Sequence, residues 1–349
     1  MQIQTLNGSF TFQLYRFKTP QGSSNYLRLS GQFKQGHYQT QALCSYALAY
    51  ACQLSYASVS KLLTERSGNS QISDQHIHWL VAAKAGQIGL NQQAHINTYT
   101  ALAMPLLEEN DLYQATGKEL IWMEDGISVA KQKASRDKVA KMGKERTLTD
   151  GIRFANPAGD FIYLVAAEKV SLTQLATAHL KAHYSGQRLS VVVISDGSRT
   201  IRNRCNEIFG GHYQPVLDWY HLQKKMKEHL SMIAYNKEQK MDYLQQILPL
   251  LWKGNAGEVI EILLSIKARN VNKQEELIAY LRKNQLSIIN YERRKAAGKP
   301  IGSGAMEKTV DMLVAQRQKQ KAMSWSTKGS TALAVVKADL LNNATEILQ

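Results

Sequence analysis

The chain has 349 residues, with 43 Lys and Arg against 28 Asp and Glu, which gives a formal net charge of +15 at pH 7. This surplus indicates a polyanionic partner, either a nucleic acid or an anionic membrane surface. Because no apolar run approaches about 18 residues and no basic and apolar leader opens the chain, we expect neither a transmembrane helix nor a secretory signal.

The number and spacing of the cysteines indicate in which kind of cellular compartment the protein resides. The three cysteines, Cys44, Cys52 and Cys205, are few and widely spaced. This pattern fits a reducing compartment and excludes a disulfide scaffold. The sequence contains no Cys-x-x-Cys pair, so we expect no zinc ribbon. The basic residues are spread along the chain without an amphipathic anchor, so we expect a cytoplasmic protein that faces nucleic acid and not a membrane.

Residues 1–41 predict a short β segment. Polar and apolar residues alternate from Ser9 to Phe17, which is typical of a strand. A second strand is expected from Asn25 to Leu29, after the turn at Pro20-Gln21-Gly22.

Residues 42–115 predict a helical domain. Helices are expected over 42–54, 57–66 and 73–85, with Ser73 as the N-cap of the third and Gly86 as its end. The second and third are consistent with a helix-turn-helix, which would offer Gln75, His76 and Lys84 to a DNA groove. A generic helical hairpin fits the same spacing.

From Glu119 the pattern becomes α/β. Apolar strands over 120–123 and 189–194 lead to Asp125-Gly126 and Asp196-Gly197. Further strands are expected over 161–166 and 215–217, with helices over 171–184 and 198–209 and a basic stretch over 131–146. Residues 222–299 predict helices only, followed by one helix from Ser303 through Glu307 to about Gln320 and another over 327–348.

This order predicts an α/β fold with a mixed sheet, crossover helices and an all-α insertion before the last part of the core. We expect five segments, which are 1–41, 42–115, 116–221, 222–299 and 300–349.

Three acids are candidates for chemistry. Asp125 and Asp196 follow apolar strands, and strand ends are where sites assemble in open α/β sheets. Glu307 lies one turn into a helix that follows Gly302-Ser303-Gly304. Converging carboxylates need cations, and two Mg²⁺ or Mn²⁺ ions about 3.5–4 Å apart catalyse phosphodiester attack. A plain turn is the alternative interpretation of each Asp-Gly pair.

Several motifs resemble those of a known family. Ile301–Glu307, Arg317-Gln318-Lys319, Met323–Ser326 and Gly329 are similar to the C-terminal signature of bacterial insertion-sequence DDE transposases of the Kra and Lre types. Leu217–Leu222 and Ser195–Ser198 match as well, and the resemblance covers about residues 40–349.

The resemblance implies a ribonuclease H-like catalytic core with a helical insertion. Asp125, Asp196 and Glu307 would be its first, second and third acids and would bind two Mg²⁺ (or Mn²⁺) ions. Asp218 and His221 match a (Cys/Asp)-x-x-His element that buttresses the site. A strand-end turn with a partly buried histidine is the alternative for this pair.

The implied activity is a magnesium-dependent DNA transposase. It would cut transposon ends in double-stranded DNA and join the 3′-OH to target DNA, as a homo-oligomer during synapsis, in the nucleoid of a bacterial cytoplasm. Arg317 lies ten residues, or about 15 Å of helix, beyond Glu307. At this distance Arg317 cannot share the metal cluster at Glu307. It would instead contact a DNA phosphate, as would Lys319 and Lys321. Trp325 would stack on an unpaired base or, alternatively, belong to the core.

Two other functions fit the same residues. One is a domesticated, non-catalytic DNA-binding protein that acts through the helix-turn-helix. The other is a metal-dependent, structure-specific DNA nuclease that cuts branched DNA without joining strands.

Overall fold

A computed structural model describes the chain except for residues 1, 12, 14, 21, 26–37, 69–71, 110, 116–117, 131–145, 156–160, 321–322 and 344–349. The strands in chain order are β1 (Gln2–Thr5), β2 (Gly8–Thr11), β3 (Arg16–Thr19), β4 (Gly22–Asn25), β5 (Tyr38–Gln39), β6 (Leu106–Leu107), β7 (Leu120–Ala130), β8 (Arg146–Ala155), β9 (Phe161–Leu164), β10 (Arg188–Leu189), β11 (Val191–Ser195) and β12 (Gln214–Leu217).

The helices complete the element order. They are α1 (Gln41–Ala51), α2 (Tyr56–Ser67), α3 (Asp74–Tyr99), α4 (Leu172–Tyr184), α5 (Arg199–Phe209), α6 (Trp219–Ile233), α7 (Lys237–Trp252), α8 (Ala256–Ser265), α9 (Val271–Asn284), α10 (Tyr291–Ala296), α11 (Gly304–Val310), α12 (Gln316–Gln318) and α13 (Thr327–Asn342). A 3₁₀ turn follows α9 at Gln285–Ser287, and a π-helical segment, Asp311–Ala315, joins α11 to α12.

The central sheet is mixed and has five strands in the order β12-β11-β7-β8-β9. Strands β7, β8 and β9 pair antiparallel, whereas β11 pairs parallel with both β7 and β12. The first four residues of β11 are fully buried, which agrees with their continuous β-branched run. The predicted mixed α/β architecture is therefore confirmed.

The sheet carries an apolar layer on each face, because side chains alternate along a strand. Trp122 and Val193 point into one layer, which also holds residues of α4 and α5. Met123 and Ile194 point into the other layer, which the α6–α10 insertion, α11 and α13 share. Since buried apolar surface stabilises by about 25 cal/mol per Å², both layers hold the sheet in place.

The insertion, residues 219–296, is fastened to the sheet at its two ends. The Tyr291 hydroxyl donates to the Leu217 carbonyl at 2.8 Å, and its ring centroid lies 5.0 Å from that of Trp219. The buried guanidinium of Arg294 donates to Glu119 Oε2 at 2.8 Å, just before β7. These contacts place the start and the end of the insertion beside the same strands.

The N-terminal prediction needs correction. Instead of one strand over 9–17, the structure has two antiparallel hairpins, β1–β2 and β3–β4. Gly22, with φ of 119°, begins β4, so the expected second strand is displaced towards the turn. Of the predicted strand over 25–29, residues 26–29 lie outside the described residues.

The third helix does not end at Gly86. Helix α3 continues to Tyr99, and Ile77, Val81, Ala85, Ile88 and Ile96 keep one face buried. A helical glycine costs only about 1 kcal/mol relative to alanine, so tertiary packing outweighs that local signal.

Strand β7 is longer than predicted, and β8 was not expected from the sequence. Asp125 lies inside β7 opposite Gly151 of β8, and does not end the strand. Asp150-Gly151 has the composition of a turn, but pairing of these two residues with Gly126 and Asp125 of β7 outweighs this weak preference. The basic stretch over 131–145 lies outside the described residues.

The predicted helix from Ser303 to Gln320 is interrupted. The π-helical segment separates α11 from α12, which turns the residues beyond it away from the face that carries Glu307. In the part of the chain that the structure describes, no helix has the length and apolar character needed to cross a membrane.

Candidate functional site

Asp125 lies on β7, and Asp196 directly follows the end of its parallel neighbour β11. Met123 of β7 is in register with Ile194 of β11, and Asp125 and Asp196 each follow two residues later. The Gly126 amide donates to Asp125 Oδ1 at 2.8 Å, and the Ser198 amide donates to Asp196 Oδ1 at 2.8 Å. One oxygen of each carboxylate is therefore held by its own turn or strand.

The charges of Asp196 and Glu307 affect the pKa of Asp125. Burial raises the pKa of Asp125, and the negative charges of Asp196 and Glu307 raise it further. The Gly126 amide and the His221 ring act in the opposite direction. Asp125, Asp196 and Glu307, which the sequence places 71 and 111 residues apart, thus share one electrostatic environment.

Asp218 is the buried anchor of the site. Its Oδ1 accepts from the His221 amide at 2.8 Å, which caps α6, and its Oδ2 accepts from the Ser303 hydroxyl at 2.6 Å and from the Ser303 amide. Burial alone would raise the pKa of Asp218, but the contacts from His221 and Ser303 outweigh it and lower the pKa to about 2. Asp218 is therefore a charged group that ties α6 to the loop before α11.

His221 links the anchor to the third acid. Its Nδ1 lies 3.4 Å from Asp218 Oδ1, and its Nε2 lies 3.8 Å from Glu307 Oε1. The Asp218 contact raises the pKa of His221 against the effect of burial, and the charges of Glu307 and Asp196 add to the rise. A protonated imidazole at this point offsets part of the negative charge of the three acids.

The loop before Glu307 packs tightly on α6. The Trp219 amide donates to the Ile301 carbonyl at 3.1 Å. A Cβ at Gly302 would lie 2.6 Å from Cδ2 of Tyr220, so this position has no room for a side chain. Glu307, with 57% of its side chain exposed, then projects from the first turn of α11 beside His221.

The insertion contributes residues that the sequence analysis did not single out. Gly197 has φ of 82°, and a Cβ there would lie 3.0 Å from Asn284 Oδ1. Arg202 Nη2 donates to the same oxygen at 2.9 Å. Burial and the charges of Asp196 and Asp218 raise the pKa of Tyr280 to about 12. No local sequence signal marks Tyr280 or Asn284, because only the fold brings α9 to Asp196.

Carboxylate oxygens are suitable ligands for Mg²⁺ and Mn²⁺, so the donor chemistry of the three acids fits these ions. Among the described residues, however, no group of three or more His, Cys, Asp or Glu side chains is arranged to hold a metal ion. The carboxylates influence one another without forming a coordination group.

Two residues predicted to contact DNA belong to the interior. Arg317 is 3% exposed, and its guanidinium lies over the ring of Trp325, 4.9 Å from the centroid, while Nε donates to the Ala51 carbonyl. Burial lowers the pKa of Arg317. Trp325 is 9% exposed, and its Nε1 donates to the Gln318 carbonyl. The expected phosphate contact of Arg317 is therefore wrong, because the π-helical segment turns α12 towards α1, and Trp325 takes the core position that was the alternative to base stacking.

The remaining predicted contacts occupy varied positions. Gln75 is exposed near the start of α3, and Lys319 is exposed after α12. His76 Nε2 lies 2.8 Å from Gln39 Oε1, and Lys84 Nζ lies 3.0 Å from Asp339 Oδ2. Lys321 lies outside the described residues. The α2–α3 pair thus presents Gln75 outward, while His76 and Lys84 contact other parts of the chain.

Comparison with known proteins gives a match to a family model and matches to solved structures. The model of the uncharacterised protein family UPF0236 matches residues 114–346. Among solved structures, the chain is similar to the Drosophila P element transposase strand transfer complex, with 11% identity over 92% of this chain and 83% of that chain. The TM-score of that pair is 0.30, which carries no argument about fold or function. No curated protein matches the chain.

Proposed function

This chain belongs to the uncharacterised protein family UPF0236, and we propose that it is a DNA transposase with an acidic centre formed by Asp125, Asp196 and Glu307. The observation that carries the proposal is the convergence of three acids. Asp125 lies on β7 and Asp196 directly follows the parallel neighbour β11, and beside the effect of burial the charges of Asp196 and Glu307 both raise the pKa of Asp125. The net charge of +15 over the whole chain suits a polyanionic substrate.

The architecture supports a ribonuclease H-like core. In the mixed sheet of five strands, β7 carries Asp125 and its parallel neighbour β11 ends one residue before Asp196, and the insertion over residues 219–296 precedes Glu307, an order that supports such a core. The resemblance of the Ile301–Glu307 and Leu217–Leu222 motifs to insertion-sequence transposases points to the same core.

The proposed reaction has two steps and needs no covalent enzyme intermediate. Water attacks the phosphodiester at each transposon end, the bond from phosphorus to the 3′ oxygen breaks, and a 3′-OH is released. That hydroxyl then attacks a target phosphodiester and displaces its 3′ oxygen, so one strand is joined as another is cut. No Ser or Tyr nucleophile is therefore assigned.

The residues of the chain divide the work. Asp125, Asp196 and Glu307 would hold two Mg²⁺ or Mn²⁺ ions, which would supply Lewis-acid stabilisation of the oxygens of the phosphodiester. The Nε2 of His221 lies beside Glu307, where a protonated ring would offset part of the negative charge of the acids, and Asp218 keeps that ring and the Ser303 loop in position. Double-stranded DNA is the proposed partner, a homo-oligomer the proposed synaptic state, and the bacterial nucleoid the proposed location.

The test uses labelled DNA from the two flanks of the gene, where the ends of the element would lie, with Mg²⁺. We expect cutting at the ends and joining to a target plasmid, and a loss of both in Asp196→Ala. Asp242→Ala, which alters an exposed acid of α7, is the matched control and should retain both activities. Activity in Asp196→Ala equal to that of the control would refute the assignment.

The two other functions give different outcomes in the same assay. Specific DNA binding that is indifferent to Mg²⁺ and to Glu307→Gln indicates a non-catalytic DNA-binding protein. Cutting of branched DNA without joining indicates a structure-specific nuclease.

A further inference from the structure

A basic groove lies on α6 next to the candidate site. It has a cavity volume of about 360 Å³. Its lining residues come from α6 and α7 and are Tyr220, Gln223, Lys224, Lys227, Glu228, Ser231 and Lys240. Three lysines against one glutamate leave the groove with a positive balance, which favours an anionic ligand.

Four residues of the groove, two of them lysines, lie along one face of α6. Tyr220, Lys224, Lys227 and Ser231 succeed one another at spacings of three or four residues, which places them on one face of α6. From Tyr220 to Ser231 this face is about 16 Å long, at 1.5 Å per residue. Lys240 of α7 joins its far end, where its Nζ donates to Ser231 Oγ at 2.6 Å. Lys224 and Lys227 lie about 4.5 Å apart along the helix axis, and with Lys240 at the far end of this face they give several cationic points, which suits successive phosphates of one strand.

Tyr220 stands at the end of the groove that adjoins the acids. Its side chain is 59% exposed, although it is a large aromatic ring. One side of the ring lies against the backbone of Gly302, and the next residue, His221, contacts Glu307. A ring supported in this way is a platform on which a base can stack.

We infer that this groove binds single-stranded DNA next to the acidic centre, with Tyr220 stacking on an unpaired base and Lys224, Lys227 and Lys240 holding the backbone. The inference rests on the proposed function, because it takes the strand to be the one on which the acids act. It adds a route by which a frayed or cut strand leaves the centre along α6. Base stacking makes the groove tolerant of sequence.

The binding test separates this inference from catalysis. The full chain carrying Asp196→Ala is titrated, in EDTA, into a fluorescein-labelled 20-mer of oligothymidine and into a blunt 20-bp duplex. Tyr220→Ala should weaken oligothymidine binding by about five- to thirtyfold, as expected for one lost stacking contact. Tyr220→Phe, which keeps the ring, should bind within about twofold of the parent, and duplex binding should change little.

The lysines are tested by salt dependence. The slope of log affinity for oligothymidine against log salt is negative. In the double variant Lys224→Ala, Lys227→Ala its magnitude should decrease by about 1.4, which corresponds to the loss of two phosphate contacts on a single strand. The matched control, Lys267→Ala, removes an exposed lysine outside the groove and should leave the slope unchanged.

Each result decides one of the two proposals. Equal affinity of Tyr220→Ala and the parent for oligothymidine, or equal salt slopes, would overturn the groove while leaving the acidic centre untouched. Stronger binding of an RNA 20-mer than of oligothymidine would contradict DNA as the ligand. Groove-dependent binding, combined with an unsubstituted chain that neither cuts nor joins the flanking DNA in Mg²⁺, would support the groove and refute the transposase proposal.

Discussion

Asp218 accepts hydrogen bonds from both the backbone amide and the hydroxyl of Ser303, although 85 residues separate them. This contact joins the end of β12 to the loop that leads into α11. The helical insertion lies between the two residues in sequence, so Asp218 closes the polypeptide loop that the insertion makes. The position of Glu307 therefore depends on a residue that is not itself one of the three acids.

We expect Asp218→Asn to destabilise the protein and reduce strand cutting. The substitution removes a buried charge that several donors stabilise, and hydrogen bonds to charged groups contribute about 1.5–3 kcal/mol each. The free energy of unfolding in urea should fall by about 2 kcal/mol, and cutting should fall even under conditions where the variant is folded. Asp111→Asn, at an exposed acid, is the control. A variant with unchanged stability would show that Asp218 does not anchor the loop.

Because His179 is buried, we expect the protein to lose stability in weak acid. Burial lowers the pKa of His179 from 6.5 to about 3, and the neighbouring His183 and His95 add to the effect. As the pH falls below about 6.5, the unfolded chain binds the proton first, so stability decreases until about pH 3. One histidine with this shift lowers the free energy of unfolding by about 2 kcal/mol between pH 7.5 and pH 5.

Urea denaturation at the two pH values measures this loss. His179→Gln should show a pH dependence smaller by about that amount, whereas His212→Gln, at an exposed histidine, should behave like the parent. The same pH dependence in all three proteins would exclude His179 as its source.

Arg317 predicts a structural effect instead of a DNA-binding one. Its planar guanidinium lies between the rings of Trp325 and Tyr56, at 4.9 and 5.4 Å from their centroids. Lysine does not reproduce this stacking, so Arg317→Lys should lower the free energy of unfolding by about 1–3 kcal/mol. Because lysine keeps the positive charge, the phosphate contact is tested with Arg317→Met, whose folded fraction should show the same salt slope of DNA binding as the parent. A flatter slope for Arg317→Met would support a phosphate contact at Arg317.

We expect replacement of Gly86 by alanine to stabilise the protein. Among the residues that the structure describes, no atom beyond the local backbone and the two chain neighbours lies within 4 Å of a Cβ built at Gly86, which is in the interior of α3. Gly86→Ala should therefore raise the free energy of unfolding by about 1 kcal/mol, the difference in helix propensity. Gly68→Ala is the contrasting variant, since φ of 73° at the end of α2 strains an alanine, and it should destabilise. A loss of stability in Gly86→Ala would mean that the glycine has a packing role.

Local patterns in the sequence were sufficient for much of the fold. The apolar run at β11, the N-cap serine of α3 and the strand-free insertion each follow from side-chain chemistry acting over a few residues, and the structure confirms them. The same patterns pointed to Asp125, Asp196 and Glu307, whose roles remain proposals.

Tertiary contacts decided what the local patterns could not. Asp125 lies within a long strand because β8 pairs with β7, and α3 passes through Gly86 because its buried face continues beyond it. Arg317 points inward because a π-helical segment changes the direction of its face. In each case, packing between distant segments outweighed a local preference of about 1 kcal/mol. For the same reason, only the folded chain brings Tyr220 against Gly302 and Asp218 against Ser303.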